Sequence, residues 1–248
     1  MNPQLSPELA WTLAFTIAAL AGVIRGYAGF GSSMMMSPVM ALVFGPAQGV
    51  ALLSILEMMA SIHLLPKVLP HTQWRSLVLP MYSTAMVGIP LGVLLLLWVQ
   101  PEIMRQVIGL VVVTFTSLMI VGVRFKGAPS RGGILGIGFL GGLSGGATGA
   151  GGPPIVLYFL SRPLDAQTYR ANMVSYFTLT NMTSIAVLAW HQVYHWGMWS
   201  WLWKLALVFF VGINVGMWLF FRLDPKRFRP IILSFLLVVG LFGLLYKP

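Results

Sequence analysis

The chain has 248 residues, 58% of them hydrophobic and 8% charged, and its mean hydropathy is +0.86. A soluble domain carries roughly a quarter of its residues as charges, so this composition excludes an ordinary soluble enzyme and makes the bilayer the solvent. The formal charge of +10 is scattered between apolar runs without a dense basic face, which argues against nucleic acid, and the lack of cysteine excludes disulfides, thiolate metal sites and cysteine nucleophiles.

A membrane-spanning helix needs about 20 apolar residues. The first apolar region, 9–44, is interrupted by Arg25-Gly26-Tyr27-Ala28-Gly29-Phe30-Gly31-Ser32-Ser33, with Pro38 beyond it. So many glycines rule out a regular helix through its centre. Ala19-Leu20-Ala21 resembles a signal-peptide cleavage site, but no Lys or Arg precedes the apolar run, so the segment is expected to belong to the fold. Three spans are expected next, at 50–65, 77–99 and 107–123. A second broken region, 132–160, contains Gly141-Gly142-Leu143-Ser144-Gly145-Gly146-Ala147-Thr148-Gly149-Ala150-Gly151-Gly152-Pro153-Pro154. Three further spans are expected at 171–190, 199–221 and 231–246.

The two halves repeat. At an offset of 120, Gly22, Gly26, Gly29 and Gly31 fall on Gly142, Gly146, Gly149 and Gly151. At 119, Ala47-Gln48 falls on Ala166-Gln167; at 124, Gly88-Ile89-Pro90-Leu91-Gly92 falls on Gly212-Ile213-Asn214-Val215-Gly216, Pro101 on Pro225 and Arg105 on Arg229. The expected organisation is therefore two transmembrane repeats, 1–126 and 127–248, each a glycine-broken segment followed by three spans.

Charge decides how the broken segments run. If each crosses once, the basic residues other than Arg25 divide 7 against 7 and give no orientation. If each returns to the side it came from, 11 share one side (Lys67, Arg75, Arg124, Lys126, Arg131, Arg162, Arg170, Arg222, Lys226, Arg227 and Arg229) against Arg105, Lys204 and Lys247. The positive-inside rule favours the second arrangement, with the crowded side cytoplasmic and both termini extracytoplasmic. Each half then makes an odd number of crossings, so the halves are inverted, as in many secondary transporters. The loop 191–201, rich in aromatic residues and without Lys or Arg, falls on the outer side as an interfacial belt.

Irregular backbone at membrane depth is tolerated where it is buried in protein or lines an aqueous cavity. Two hairpins entering from opposite faces would bring their turns together near the midplane, with half-helices starting there whose free amides and positive ends suit an anion. The expected ligands are the backbone at Gly29, Gly31, Ser32 and Ser33 in the first break and at Gly149, Gly151 and Gly152 in the second, with the Thr148 hydroxyl nearby. The competing reading is that these glycines only let helices pack closely. Arg25, inside an apolar segment, needs an acceptor. Three are open: a substrate anion, Glu57 on the next span, or the cytoplasmic interface. Glu57 is also the candidate for carrying a coupling proton or ion. Gln48, Asn172, Ser175, Asn181 and Asn214 read as helix-to-helix hydrogen bonds; Gln48, Asn172 and Ser175 follow the broken segments and are also candidates to line the path. The four histidines show no metal-ligand spacing, and no P-loop, zinc-protease or serine-elbow motif is present.

These residues resemble the sulfite exporter TauE/SafE family, grouped with the toluene sulfonate uptake permeases. The resemblance is carried by Gly26-Tyr27-Ala28-Gly29-Phe30-Gly31 leading to Pro38, by Gly142-Leu143-Ser144-Gly145 with Gly149-Ala150-Gly151-Gly152-Pro153, and by Gly-x-Pro-x-Gly at 88–92. Ser32-Ser33 departs from the family, which commonly has further glycine there. The resemblance implies an inner-membrane transporter of sulfite, sulfoacetate, organosulfonates or small carboxylates, driven by an ion gradient.

The expected protein is thus an all-α, polytopic inner-membrane anion transporter working by alternating access, not an enzyme, with no cofactor and no metal. Its partners would be a small anion, a coupling proton or sodium ion and the lipid bilayer, with a homodimer left open. The alternatives are an anion channel, an intramembrane enzyme or a membrane scaffold subunit that transports nothing.

Overall fold

A computed structural model describes residues 5–123, 130–162, 164–220, 222 and 225–245. Among them the chain forms ten α-helices and no strand: α1 (Pro7–Ala28), α2 (Ser32–Phe44), α3 (Pro46–Val68), α4 (Leu79–Trp98), α5 (Pro101–Val121), α6 (Arg131–Thr148), α7 (Gly152–Leu160), α8 (Ala166–Trp190), α9 (Trp196–Phe220) and α10 (Pro225–Leu245). A 3-10 turn, Leu69–His71, and a π turn, Trp74–Val78, join α3 to α4. The six unbroken helices α3, α4, α5, α8, α9 and α10 stand where six spans were expected, and each broken region becomes a pair, α1 with α2 and α6 with α7. The expected boundary between Lys126 and Gly127, together with the charges of Arg124, Lys126 and Lys247, lies outside the described residues.

Helix ends follow from capping chemistry. Ser6 accepts the Leu9 amide ahead of Pro7, and Asp165 accepts the amides of Gln167 and Thr168 at 3.0 and 2.9 Å at the start of α8. Gly29 and Gly149 end α1 and α6 in the left-handed region, at φ 77° and 70°, and Gly31 at φ 94° turns the chain into α2. A side chain at these positions would strain the backbone, which is why the breaks need glycine.

Five stretches, Pro7–Ala28, Pro46–Pro66, Trp74–Trp98, Pro101–Val121 and Trp196–Leu219, are long and apolar enough to cross a membrane. Helix α8, with 25 residues and a length of about 37 Å, is long enough but more polar than these five. Its polar groups are turned inward: Asn172, Ser175, Thr178, Thr180 and Ser184 are all buried. An inner helix can carry hydroxyls and amides that a lipid-facing one cannot. Trp98, Trp190 and Trp196, each near a helix end, are instead widely exposed.

The packing explains half of the repeated glycines. Helix α1 lies on α9, and α4 on α6. A Cβ on Gly22 would sit 2.3 Å from the Phe209 carbonyl oxygen, and one on Gly26 2.1 Å from that of Ile213; Gly212 and Gly216 meet α1 backbone equally closely. At the other crossing, Gly88 and Gly92 face the backbone of α6, and Gly142 and Gly146 that of α4, with Cβ separations of 2.2 to 2.7 Å. These are four small-xxx-small motifs that let backbones touch. At Gly22, Gly26, Gly142 and Gly146 the close-packing reading therefore holds.

Each broken region folds back on itself. Trp11, near the start of α1, stacks edge-on with Phe44 at the end of α2, with ring centroids 6.1 Å apart, so α1 and α2 run antiparallel. In the second half, a Cβ on Gly145 would lie 3.3 Å from the Gly151 Cα, and one on Gly141 2.8 Å from the Ile155 side chain, which makes α6 and α7 antiparallel as well. Both are helical hairpins with glycine tips.

Candidate functional site

The two hairpin tips share one cavity. It spans about 670 Å3 of space unoccupied by protein atoms, open solvent included, between Phe30, Gly31, Ser33 and Met34 of the first break and Gly149, Gly151 and Gly152 of the second. Helix α3 contributes Val50, Leu53, Ser54 and Glu57, and α8 contributes Tyr176, Phe177, Thr180, Asn181 and Ser184. Arg25 and Glu57 are the only charged side chains in this lining.

Arg25 is 1% exposed and Glu57 5%. The guanidinium Nη1 lies 3.4 Å from Glu57 Oε2, and Nη2 donates to Ser61 Oγ at 2.9 Å. Of the three acceptors open to Arg25, the structure supplies Glu57, and such burial excludes the interface. The Arg25 Nε has no acceptor. The Phe177 ring stands 6.0 Å from the guanidinium carbon. On its other side the Glu57 carboxylate accepts a hydrogen bond from the Ser32 hydroxyl. Ser32 is the first residue of α2, so Glu57 sits at the positive end of that half-helix.

The half-helices differ as anion ligands. Helix α2 has no side-chain cap, and its first intrahelical bond runs from the Met35 amide to Gly31. The amides of Ser32, Ser33 and Met34 are thus free of intrahelical acceptors. Helix α7 begins Gly152-Pro153-Pro154, and prolines carry no N–H, so only Gly152 offers an amide from its first three residues. The second tip serves instead by being bare. A Cβ at Gly151 would come within 2.8 Å of the Gly145 Cα, so backbone itself forms that wall.

Seven of the expected site residues line the cavity: Arg25, Gly31, Ser33, Glu57, Gly149, Gly151 and Gly152. Ser32 touches it through Glu57. Gly29 lies behind the tip, where a Cβ would meet the Arg170 side chain at 3.5 Å. The Thr148 hydroxyl is committed elsewhere, donating to Ser144 O at 2.7 Å and accepting the Ala150 amide at 3.1 Å. Its carbonyl accepts a hydrogen bond from Ser37 of α2 and so ties one hairpin to the other.

Gln48, Asn172 and Ser175 are not in the lining. Asn172 accepts the Gln73 amide at 2.7 Å and donates to its side chain at 3.2 Å, and the Ser175 hydroxyl meets that of Thr72 at 2.8 Å. Both pin the α3–α4 connection to α8. Asn214 does not bridge helices: it is exposed and donates to Phe210 O of its own helix. Asn181 was expected in a helix-to-helix bond and instead faces the cavity.

Sequence reasoning missed Ser54, Phe177, Thr180, Ser184 and Arg170. The spacing of Ser54, Glu57 and Ser61, and of Phe177, Thr180, Asn181 and Ser184, places each set on one helical face. Those stripes were the available signal. Arg170, counted only as an orientation charge, lays its side chain over Gly29 beside the contact of Tyr169 with Phe30. Ser54 in turn meets the α8–α9 loop, where the Tyr194 hydroxyl lies 3.0 Å from Ser54 Oγ. Burial pushes the Tyr194 hydroxyl up to about 12, against the Ser54 bond, so it stays a neutral phenol at physiological pH.

Among the described residues no three His, Cys, Asp or Glu side chains come together as a metal site. Comparison with curated proteins and with solved structures returns no significant match. The family model described as Sulfite exporter TauE/SafE matches residues 14–243, nearly the whole sequence and both hairpins. A multi-pass helical chain with two glycine-tipped hairpins around a buried arginine therefore belongs to the sulfite exporter TauE/SafE family of membrane transporters.

Proposed function

We propose that the protein is a secondary transporter moving small anions, with sulfite, sulfoacetate, organosulfonates and small carboxylates as the candidate class, across the inner membrane by alternating access. The observation that carries this reading is the convergence of both hairpin tips and Arg25 on one cavity. Arg25 and the amides at the start of α2 attract the anion, the bare Gly149 to Gly152 backbone lets it approach the second tip, and Asn181, Thr180 and Ser184 solvate it laterally. The apolar Phe30, Phe177 and Val156 walls exclude competing water.

Two ring contacts and the order of the helices support inverted halves. The edge-on contact of Trp11 and Phe44 puts the open end of the first hairpin beside Trp201, whose ring centroid is 5.0 Å from that of Phe44, near the start of α9. That end adjoins the C-terminus of α8 through a short loop, whereas α7 joins the N-terminus of α8. With about 37 Å of α8 between them, the hairpins enter from opposite ends. Arg75, Arg131, Arg162, Arg170 and Arg222 gather at the end of the second hairpin, which the positive-inside rule makes cytoplasmic. The termini are then extracytoplasmic, and the halves 1–126 and 127–248 rock about the cavity.

The test is flux of labelled sulfite, a set of alkanesulfonates and short carboxylates into proteoliposomes of this chain alone, with an imposed pH gradient. Saturable flux of at least one class is expected. No flux of any would favour the scaffold subunit, currents beyond roughly 10^5 ions per second would favour a channel, and chemical turnover of a substrate would favour an enzyme.

A further inference from the structure

We infer that Glu57 is a built-in competitor for the transported anion, so that a monoanion enters the site only as Glu57 takes up a proton. The inference rests on the transport reading above and specifies its coupling ion. The carboxylate already occupies the place an anion would take. It faces the Arg25 guanidinium at 3.4 Å, accepts from Ser32 at the N-terminus of α2, and lines the same cavity. A helix N-terminus alone would say little, but here it is joined by a guanidinium 1% exposed whose Nε has no acceptor. That N–H is an unused donor in a site otherwise closed by the protein's own carboxylate.

Charge balance sets the stoichiometry. With Glu57 ionised and Arg25 protonated the pair is neutral. An added monoanion would leave a net negative charge in a buried site, at a cost of several kcal/mol. If Glu57 accepts one proton, the anion replaces its carboxylate beside Arg25 and the site is neutral again. No bond other than O–H forms or breaks, and the proton comes from the solution on the side from which the anion binds. Anion and proton therefore travel together, one for one.

Among the described residues, the groups facing Glu57 include no second carboxylate. Helix α1 brings Arg25; α2 brings Ser32 and Ser33; α8 brings Thr180, Asn181 and Tyr176, the last donating to Gly138 O at 3.4 Å. On α3 itself, Ser54 bonds to the Ala51 carbonyl and Ser61 accepts from Arg25, while His63 is exposed and packs edge-on against Phe210 of α9. Arg170, behind Gly29, adds a positive charge that acts on Arg25 and is the same whether or not Glu57 holds a proton. His63 carries the other ionisable side chain on α3 near Glu57, and the test controls for it.

Proteoliposomes loaded with a pH-reporting dye and given each transported anion are expected to show one proton taken up per monoanion, with electroneutral flux that an imposed potential does not change. If each anion binds together with one proton, the wild-type half-saturation concentration should rise about tenfold per pH unit towards alkaline pH, the slope for one linked proton. Glu57→Gln should carry the anion downhill without proton movement and lose that slope; comparing both proteins with the same anion cancels the anion's own titration. His63→Gln should keep the wild-type slope. Glu57→Gln that still moves one proton per anion, or keeps the slope, overturns the inference. Should that variant not fold, the wild type suffices: anion-induced thermal stabilisation must be larger at acid than at alkaline pH, and equal stabilisation at both overturns the idea. Saturable flux without proton uptake removes this inference and leaves the transport reading standing, whereas no flux of any anion removes both.

Discussion

Gly138 and Gly136 lie two residues apart on α6, and alanine at the two positions should have opposite effects. A Cβ on Gly138 would stand 2.1 Å from the Met81 carbonyl oxygen and 2.5 Å from Thr84 Oγ1. Real Cβ atoms essentially never come within 3.0 Å, so α4 and α6 would have to move apart by most of an ångström. Overpacking of this kind costs about 1–3 kcal/mol. The Thr84 hydroxyl also donates to Leu135 O at 2.7 Å across the same crossing, and loosening such an intramembrane bond adds about 0.6 kcal/mol. Gly136, by contrast, is exposed in mid-helix with nothing within 4 Å of a Cβ. There alanine removes backbone freedom from the unfolded chain and should stabilise by about 0.5–1 kcal/mol. Thermal unfolding in detergent reads both: at roughly 2–4 °C per kcal/mol for a chain of this size, Gly138→Ala should melt about 3–14 °C lower and Gly136→Ala about 1–4 °C higher. Equal melting temperatures for the two variants would refute the argument that α6 is held to α4 by backbone contact.

The buried pair gives a second expectation: Arg25→Ala, which strands Glu57 without its cation, should cost about 3–5 kcal/mol, and adding Glu57→Gln should restore part of it in a double-mutant cycle. Asn172→Ala should lower stability by about 1–3 kcal/mol through the unpaired Gln73 amide while leaving the half-saturation for anion unchanged; a large affinity loss would return Asn172 to the transport path. Because the chain has no cysteine, single cysteines at Ser33 and Gly152 can be labelled without background. Alternating access predicts that each is modified from one side at a time and that a transported anion protects both. At the α8 cap, backbone and side-chain hydrogen bonds from Thr168 hold the Asp165 carboxyl below its ordinary 3.8. The folded state favours the ionised form, so the cap's contribution is present above that value and is lost as the pH falls through the depressed one. Asp165→Asn should flatten this part of the acid-unfolding profile.

Much of the architecture was legible because membrane insertion is a local, compositional constraint. Apolar runs mark the six unbroken helices, of which α3, α4, α5 and α9 hold stretches long and apolar enough to cross a membrane, and clustered glycines mark where a helix cannot continue. The glycines that recur at an offset of 120 were legible as well. What those glycines do was not. Gly22 and Gly29 look alike in sequence, yet one lets α1 touch α9 and the other turns the chain at φ 77°. Only the neighbouring helix distinguishes them.

The same division runs through the candidate site. A lone intramembrane arginine and a lone intramembrane acid were conspicuous because charge in hydrocarbon is costly, and that cost made Arg25 and Glu57 candidates from sequence alone. Their pairing, and the position of Glu57 at the start of α2, depend on how α1, α2 and α3 pack together. Thr148, Asn172 and Ser175 were singled out for their hydroxyl and amide groups, but a polar group's role is set by its nearest partner, and theirs are a turn amide, Gln73 and Thr72. Asn181, Thr180 and Ser184 became cavity groups only once α8 was rotated against α3. Sequence determined the spans, the breaks and the scarce charges because each is fixed by solvation over a few residues. Tertiary structure decided which polar groups satisfy one another and which are left facing the cavity, because that depends on contacts between segments distant in sequence, from 25 residues apart for Ser32 and Glu57 to 99 for Gln73 and Asn172.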